Sequence, residues 1–259
     1  MYATERYDVI ERMLRDDARV TVVDLASRFD ITTETVRRDL DHLENTGVLR
    51  RVHGGAVPAD TASTSEPSLS VRTQRHSAAK AAIARRASGL IPPDFQGSIF
   101  FDAGTTTAAV MQQLIPVLAD GNIEVVTHSL AIAYPLSEVP SVALTLIGGQ
   151  IRGLTAAAVG SGTMRSVEGL RPDIAFVGVN GLSAAFGLST PDAEEASVKR
   201  EIIRSARRTI VVGDVEKLGR EALVSFAALS QIDVLVTDGM PEASLQTALD
   251  EANVEVKVA

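Results

Sequence analysis

The first 57 residues place apolar side chains at helical intervals. Tyr7, Ile10 and Leu14 share one helical face, and the segment "RVTVVDLASRFD" continues the pattern from a potential cap at Thr21. A third segment, "TTETVRRDLDHLENTG", carries its own apolar stripe and reaches a stop at Gly47. The next residues, "VLRRVHGGAV", form two extended pieces around a glycine pair, which is typical of a hairpin. The pattern therefore predicts three helices followed by a hairpin.

The pattern changes beyond this hairpin. Residues 58–70, "PADTASTSEPSLS", are small and polar with two prolines, and they predict a linker. A long helix, "VRTQRHSAAKAAIARRASGL", then leads into strands that alternate with helices. The strand candidates are "SIFFDA", "IEVVT", "VALTLIG", "DIAFVGV", "TIVVG", "DVLVTD" and "VEVKVA". Such alternation predicts a mostly parallel sheet with helices on both faces, hence an α/β domain over 71–259 behind a smaller domain over 1–57.

Composition restricts the class of protein. The chain has 259 residues, 45% of them hydrophobic, which is enough for a sizeable core. It has no cysteine, so disulfides and thiolate zinc sites are excluded, and no other metal or cofactor site is indicated. Every long apolar stretch is interrupted by charge, Gly or Pro, and the first residues lack the apolar centre of a signal peptide. We expect a cytoplasmic protein without a membrane segment.

The charge balance excludes a generally basic nucleic-acid coat protein. The net charge is −8 for the whole chain. Residues 1–57 hold nine Arg, no Lys and eleven acidic residues, a net of −2. Any affinity for DNA must therefore come from the placement of individual arginines and not from bulk charge.

The amino-terminal pattern predicts a winged helix-turn-helix. Two short helices and a tight turn precede a third helix with arginines on its polar face, and the hairpin adds the wing. The candidate DNA contacts are Thr32, Thr33, Thr35, Arg37 and Arg38 on this helix and Arg50, Arg51 and His53 on the wing. The alternative is a small helical bundle without a nucleic-acid role, in which Arg38 pairs with Asp39 and Asp41.

The segment "FDAGTTT" ends a predicted strand on Gly104 and three threonines. Glycine would allow a sharp turn, and the amides of residues 104–107 would then face outward at a helix N-terminus, where an anion is favoured. The segment lacks the Gly-Lys-Ser/Thr ending of a P-loop and is not a dinucleotide fingerprint. The alternative is an ordinary helix start whose turn is bonded by Asp102.

Polar clusters at other strand ends converge on the same edge of the predicted sheet, where ligands of open α/β sheets bind. The candidate effector contacts are Asp102, Gly104, Thr105, Thr106, Thr107, His128, Ser129, Gly149, Arg152, Asn180, Asp192, Glu195, Lys199 and Lys217. Plain alternatives remain for several of them. Gly148–Gly149 would also suit a simple turn. Glu195 and Lys199 would also suit a surface ion pair four residues apart, and Lys217 could be exposed to solvent.

Several motifs resemble the DeoR family of bacterial transcription regulators. They are "TTETVRRDL" and "RRVHGGAV" in the first domain, and "FDAGTTT", "VVTHSLAIA", "LIGGQIR", "RPDIAFVGVNGLS" and "GLSTPDAEEASVKR" in the second. The resemblance covers nearly all 259 residues. It implies that the first domain binds an operator, and that the second resembles ribose-5-phosphate isomerase in fold and senses a phosphorylated sugar.

Two positions depart from the family pattern. His128 stands where the family usually has Asn after "VVT", and it is larger than Asn and able to titrate near neutrality. It either contacts the ligand differently or serves a structural role. The segment "GDVEKLGR" also differs from the commoner family sequence around its lysine. This difference leaves the roles of Asp214 and Lys217 as ligand contacts open.

These patterns predict a transcriptional repressor of a sugar operon, released from paired DNA half-sites by a phosphorylated sugar. A homodimer or tetramer is expected to bind the double-stranded operator. "MYATER" together with "RRVHGGAVPAD" resembles regulators of fructose and related sugars, so fructose 1-phosphate is the first candidate effector. One alternative is a sugar-phosphate isomerase with a fused DNA-binding head. Another is a scaffold or activator that binds no ligand.

Overall fold

A computed structural model describes residues 2–17, 19–52, 54–58, 63–64, 66–120 and 122–259 of the chain. The chain divides into two compact units between Pro67 and Ser68. None of the helices within these described ranges is both long and apolar enough to cross a membrane.

The first unit combines three helices with three short strands. They are α1 (Ala3–Asp17), β1 (Val20–Thr21), α2 (Val22–Phe29), α3 (Thr33–Asn45), β2 (Leu49–Val52) and β3 (Gly55–Pro58). The strands form an antiparallel sheet in the order β1-β3-β2. The predicted helices and hairpin are confirmed. Strand β1 was not predicted, and it fits against β3 because Gly55 has no Cβ to overlap the Val20 carbonyl.

Caps and a small apolar core determine this unit. Thr21 Oγ1 accepts the Asp24 N–H at 3.1 Å and begins α2, as its sequence position predicts. The predicted stripes are buried together around Ile10, Leu25 and Leu40, each fully removed from solvent. Burial of each such side chain stabilises the unit by about 1.5–3 kcal/mol.

The second unit is built on a seven-stranded sheet. Its main elements are α4 (Leu69–Gln74), α5 (Ser77–Ser88), β4 (Gly97–Phe101), α6 (Thr105–Leu118), β5 (Ile123–Thr127), α7 (Leu130–Ser137), β6 (Ala143–Leu146), β7 (Gln150–Arg152), β8 (Ala157–Val159), α8 (Ser161–Glu168), β9 (Ile174–Gly178), β10 (Gly181–Ser183), β11 (Gly187–Thr190), α9 (Ala193–Ser205), β12 (Arg208–Val212), β13 (Val224–Ala227), β14 (Val234–Thr237), α10 (Ala243–Glu251) and β15 (Glu255–Val258). The large sheet is parallel, in the order β15-β14-β12-β9-β4-β5-β6. Smaller antiparallel sheets join β10, β11 and β13, and β7 with β8.

Alternation along the strands divides the core between the two sheet faces. Phe100 and Val177 face the cluster that includes α8, α9 and α10. Phe101 and Phe176 face the cluster that includes α5, α6 and α7, and their rings stack at 5.4 Å between centroids. Both faces are covered, so the strands read as nearly continuous apolar runs. This confirms the predicted α/β class and its seven strands.

One predicted element was wrong. The segment from residue 71 to 90 was expected to be a single helix, but it is divided into α4 and α5. The break lies at His76, which has a left-handed backbone with φ of 54°. Arg75 and His76 are both directed to Glu216, at 3.5 and 3.1 Å, on a 3-10 turn after β12. These distant contacts override the local helical pattern.

The strand order reverses at β4 and β9. From β4 the sheet continues through β5 to β6 on one side, whereas β9, β12, β14 and β15 lie on the other. Parallel sheets open a crevice outside the carboxyl ends of the two strands at such a switch point. The residues after Phe101 and Gly178 lie at this crevice, which positions the candidate site.

Candidate functional site

Helix α3 presents most of the predicted DNA contacts to solvent. The exposed ones are Thr32, Thr33, Arg37 and Arg38 on α3 and Arg50 on the wing, whereas Thr35 and Arg51 are partly buried. Thr32 caps the helix, because its Oγ1 accepts the Thr35 N–H at 3.2 Å. The predicted contact His53 lies outside the described residues. An exposed helix face beside a hairpin is the arrangement expected of a winged helix-turn-helix.

The carboxylates expected beside Arg38 bind other arginines. Asp39 accepts two hydrogen bonds from the Arg6 guanidinium, at 2.7 and 2.9 Å, in a buried pair that joins α1 to α3. Asp41 pairs with Arg51. The predicted pairing of Arg38 with both aspartates is therefore wrong. Arg37 lies 3.5 Å from Glu34 on the exposed surface, where such a pair contributes little.

A buried carboxylate occupies the switch point. Asp102, which follows β4, is fully buried, and its Oδ2 accepts the Gly178 N–H at 2.9 Å. The Lys199 ammonium of α9 pairs with the same carboxylate and also donates to the Gly178 carbonyl at 3.1 Å. His128 Nε2 lies 3.1 Å from Oδ1. We call these residues, Asp102, His128 and Lys199, the Asp102 cluster.

The Asp102 cluster keeps its carboxylate ionised. Burial by itself raises the pKa of Asp102, but Lys199 and His128 together act more strongly in the opposite direction, so that the pKa lies below its ordinary value. The Lys199 ammonium also lies 5.6 Å from the centre of the Phe226 ring. The predicted surface pair of Glu195 with Lys199 is wrong, because both side chains are buried and bind other partners.

His128 connects this cluster to the loop before α6. Its Nδ1 donates to the Ala158 carbonyl at 2.8 Å, since a carbonyl can only accept. Its Nε2 lies 3.1 Å from both the Ala103 N–H and Asp102 Oδ1. A neutral ring accepts from Ala103, whereas a charged ring donates to Asp102. In either state, His128 ties β8 to the start of the "FDAGTTT" loop.

A second cluster lies one turn earlier on α9. Glu195 Oε1 accepts from Thr155 Oγ1 and lies 3.2 Å from Arg152 Nη1. Asp192 caps α9 by accepting the N–H groups of Glu194 and Glu195 at 3.0 and 2.9 Å, and it also pairs with Arg152 at 3.2 Å. The cluster holds the β7–β8 hairpin against the helix start. Across the described chain, no group of three or more His, Asp or Glu side chains is placed to hold a metal ion.

The first turn of α6 differs in detail from the expected loop. Gly104 is extended, with φ of 164°, so the expected sharp turn is wrong. A Cβ there would instead lie 3.1 Å from Thr107 Oγ1, which donates to the Gly104 carbonyl at 2.8 Å. Thr106 and Thr107 are buried, whereas Thr105 is partly exposed. The alternative of a turn bonded by Asp102 is also wrong, because that carboxylate binds the Gly178 N–H and the Lys199 ammonium instead, and the N-cap residue Gly104 has no side chain to cap the helix.

A cavity of about 430 Å³ opens beside this helix start. Its lining is Leu69, Thr73, Ser77, Lys80, Ala81, Ala84, Gly104, Thr105, Ala108, Ala109, Gln112, Gln113 and Ala131. We call it the α6 cavity. It shares Gly104 and Thr105 with the predicted effector contacts, and the Asp102 cluster lies outside this lining. A phosphorylated sugar is small enough for a cavity of this volume.

Lys80 is a candidate that the sequence analysis missed. It lines the α6 cavity, and its Nζ donates to the carbonyls of Arg72 and Arg75 at the end of α4. Burial lowers the pKa of Lys80 to about 8, although Asp214 acts in the opposite direction. The available signal was a single lysine inside the alanine-rich segment "SAAKAAIA". A helix this apolar is expected to be mostly buried, so a lysine within it is a candidate buried charge.

The remaining predicted contacts follow four different strands of the large sheet, namely β5, β6, β9 and β12. Ser129 is buried, and its Oγ has no hydrogen-bond partner among the described residues. Gly149 lies so close to Thr163 that a Cβ would overlap its Oγ1, as the predicted close approach requires. Asn180 donates its N–H to the Ser189 carbonyl at 3.2 Å. Lys217 belongs to the 3-10 turn after β12 and affects the pKa of Lys80.

The first unit is a winged helix-turn-helix, and the second is a parallel α/β unit that contains the buried Asp102 cluster. This combination is typical of two-domain transcriptional regulators. Residues 6–62 match the DeoR-like helix-turn-helix domain. Residues 75–239 match the DeoR C-terminal sensor domain. The chain therefore belongs to the DeoR family, and it is a DNA-binding transcriptional regulator.

Relatives match over the full length of the chain. The HTH-type transcriptional regulator GlpR of Haloferax volcanii is 35% identical, covering 99% of this chain and 98% of its own. The glycerol-3-phosphate regulon repressor of Escherichia coli is 29% identical, covering 100% of both chains. Ribose 5-phosphate isomerase A of Methanocaldococcus jannaschii is 15% identical over 54% of this chain and 53% of its own, with a TM-score of 0.39. Both of these full-length relatives are named as regulators of transcription.

Proposed function

We propose that the protein represses a sugar-catabolism or sugar-uptake operon and is released from the operator by a phosphorylated sugar. The observation that carries the proposal is the uncapped first turn of α6, which lies at the switch point and faces a cavity that also contains Lys80. Uncapped N–H groups and a nearby ammonium are the groups that bind a phosphate in proteins. We assign the phosphate to this position.

The Asp102 cluster supports that position from behind. Its side chains are buried and bonded to one another, and they fix Ala103 and Gly178 on either side of the crevice. Sites of this kind depend on groups that hold the contacting residues in place. We therefore infer that Thr105, the adjacent amides and Lys80 contact the phosphate. The Asp102 cluster, together with Glu195 and its partner Arg152, positions the surrounding loops.

The operator surface is assigned to α3 and the wing. Arg37 and Arg38 are exposed on the helix, and Arg50 is exposed on β2. Arginine reads guanine edges and pairs with phosphates, whereas threonines at a helix start contact the DNA backbone. Arg51 would have to leave Asp41 to reach DNA.

The effector is proposed to be fructose 1-phosphate, tested beside glycerol 3-phosphate. The second compound is included because relatives of this chain are named as repressors of a glycerol-3-phosphate regulon. Both compounds carry a phosphate monoester and neighbouring hydroxyls. The amides of Gln112 and Gln113 in the α6 cavity suit such hydroxyls.

A thermal-shift panel of sugar phosphates, repeated with operator DNA, tests the proposal. A ligand that binds only the folded protein raises its free energy of unfolding by about 2.7 kcal/mol at a concentration 100 times Kd. We expect fructose 1-phosphate to stabilise the protein and to lower its operator affinity by about 1–3 kcal/mol. Stabilisation by none of the compounds would favour the alternative of a regulator without a ligand.

We propose that the regulator is a homo-oligomer, a dimer or tetramer that reads paired half-sites. Strand β6 ends the large sheet, and exposed apolar side chains lie around it, namely Leu130, Tyr134, Leu146 and Ile151. An open strand with such side chains suits pairing with a second copy. Light scattering after size exclusion should give a lower mass for Tyr134→Glu than for the wild type, whereas Leu223→Glu, exposed elsewhere, should keep the wild-type mass. Equal masses for all three proteins would contradict this surface.

A further inference from the structure

Lys80 belongs to two structural features at once. Its Nζ donates to the Arg72 carbonyl and, at 2.6 Å, to the Arg75 carbonyl, so it satisfies the end of α4. The same residue lines the α6 cavity beside Gly104 and Thr105. Lys80 is 7% exposed, so its ammonium has little access to water and depends on nearby hydrogen-bond acceptors. A ligand that changes the contacts of Lys80 in the cavity therefore also changes the contacts of Lys80 with α4.

Helix α4 connects the sensor unit to the preceding chain. It begins at Leu69, immediately after the boundary between Pro67 and Ser68. Its other end is the break at Arg75 and His76, where Lys80 and Glu216 are the partners. A six-residue helix has too few internal hydrogen bonds to persist on its own. Its position therefore depends on these end contacts.

We propose that Lys80 couples occupancy of the α6 cavity to the chain leading to the DNA-binding unit. This inference rests on the proposed function. Without an anion, the ammonium holds the last carbonyls of α4. A phosphate at the α6 start competes for the same ammonium, because a charged oxygen is a stronger acceptor than a neutral carbonyl. The end of α4 is then released, and the chain before Ser68 is freed to rearrange.

The charges around Lys80 suit such an exchange. Asp214, which precedes the 3-10 turn after β12, raises the pKa of Lys80, whereas the positive charges of Lys217, Arg72 and Arg75 lower it. Burial weakens the ammonium form, and the neighbouring cations act in the same direction. A dianion near Lys80 would relieve this positive crowding. The two arrangements therefore differ in their interaction with the ligand, as coupling requires.

Hydrogen exchange on the wild-type protein tests the exchange of partners without a mutation. The probes are fructose 1-phosphate and, separately, inorganic phosphate, each added at saturation to the full chain. We expect the amides of α4 to exchange faster with either probe, while those of α6 exchange more slowly. Unchanged or slower exchange in α4, together with protection of α6, would overturn the coupling and leave the phosphate site standing. No change in either helix would instead contradict the proposed function.

Operator titrations on variants give a second test. Lys80→Gln is compared with Lys257→Gln, which removes the same charge from β15, and each is titrated with operator DNA with and without saturating fructose 1-phosphate. We expect Lys80→Gln to bind the sugar about tenfold more weakly, as loss of one charge-assisted hydrogen bond implies. At saturation its operator affinity should no longer respond to the sugar, whereas Lys257→Gln should respond like the wild type. A full response of Lys80→Gln at saturation would show a contact residue without a coupling role and would overturn the inference.

Discussion

At the scale of single residues, Asp102 is a fully buried charge at the centre of the sensor unit's contacts. Its carboxylate has no exposed surface and contacts a buried ammonium, a buried ring and a backbone amide. Removing one member of such a buried pair leaves the other charge without compensation. The identity of this residue therefore affects stability as well as the crevice.

Asp102→Asn should lower the free energy of unfolding by about 3–5 kcal/mol at neutral pH, because Lys199 would remain buried without its counter-charge. The pKa of Asp102 is lowered in the folded protein, so its contribution is present above the unfolded pKa and is lost as pH falls through the folded pKa. Urea unfolding at several pH values should therefore show the variant and the wild type converging in acid. The exposed Asp94→Asn is the control, and a difference that does not depend on pH would contradict the assignment.

Arg37→Ala should weaken operator binding by about 1–3 kcal/mol, the usual value of one base contact, without changing the melting temperature. Arg37 is exposed, and its charged partner among the described residues is Glu34 at 3.5 Å on the surface, so the fold does not require it. A mobility-shift titration measures the effect, with Arg86→Ala on α5 as the charge-matched control. If the two variants bound the operator equally well, α3 would not be the recognition helix.

Helix starts give a prediction at the scale of elements. Thr21 caps α2 and also belongs to β1, so Thr21→Ala removes a hydrogen bond at the junction of two elements. We expect a loss of about 1 kcal/mol in the first unit. Thr33→Ala, an exposed substitution inside α3, should not destabilise the unit, because alanine has the higher helix propensity. Thermal unfolding of the two variants provides the comparison, and equal losses would mean that the Thr21 cap contributes nothing.

Elements were predictable where a local pattern decides them. The central strands of the large sheet, β4, β9, β12 and β14, are nearly continuous apolar runs because both of their faces are buried. The edge strands β6 and β15 are largely exposed, and they were found from their place in the alternation of strands with helices. The division of α4 from α5 was not predictable, because its causes lie at Glu216, 141 residues beyond Arg75. The antiparallel strands β7, β8, β10 and β11 are only three or four residues long, too short for a period to be recognised.

The candidate site was predictable in position but not in its internal contacts. Parallel strands bring their carboxyl ends together, so the residues after β4, β5 and β9 had to be neighbours. Their sequence did not say that Asp102, His128 and Lys199 bind one another while Thr105 faces a cavity. That division depends on burial, which the type of residue alone does not determine. Lys80 was missed for the same reason.

Two separate cores characterise the molecule as a whole. The first unit has its own buried cluster around Leu25 and Leu40, and the second has one on each face of its sheet. Residues 68–259 expressed alone should therefore fold and keep the thermal shift caused by fructose 1-phosphate, but lose operator binding. Calorimetry and the mobility-shift assay measure the two properties. A fragment that does not unfold cooperatively would show that the second unit requires the first.

The wide sequence separation of the partners of Asp102 has a consequence for folding kinetics. This carboxylate bonds to groups 26, 76 and 97 residues away in the chain. Such contacts close long loops, so they form late, after the strands of the sheet have paired. Conservative changes at Asp102 should therefore accelerate unfolding and leave the folding rate nearly unchanged, which stopped-flow kinetics in urea can measure. The charge at the crevice then determines how long the folded sensor lasts, and has little influence on how fast it forms.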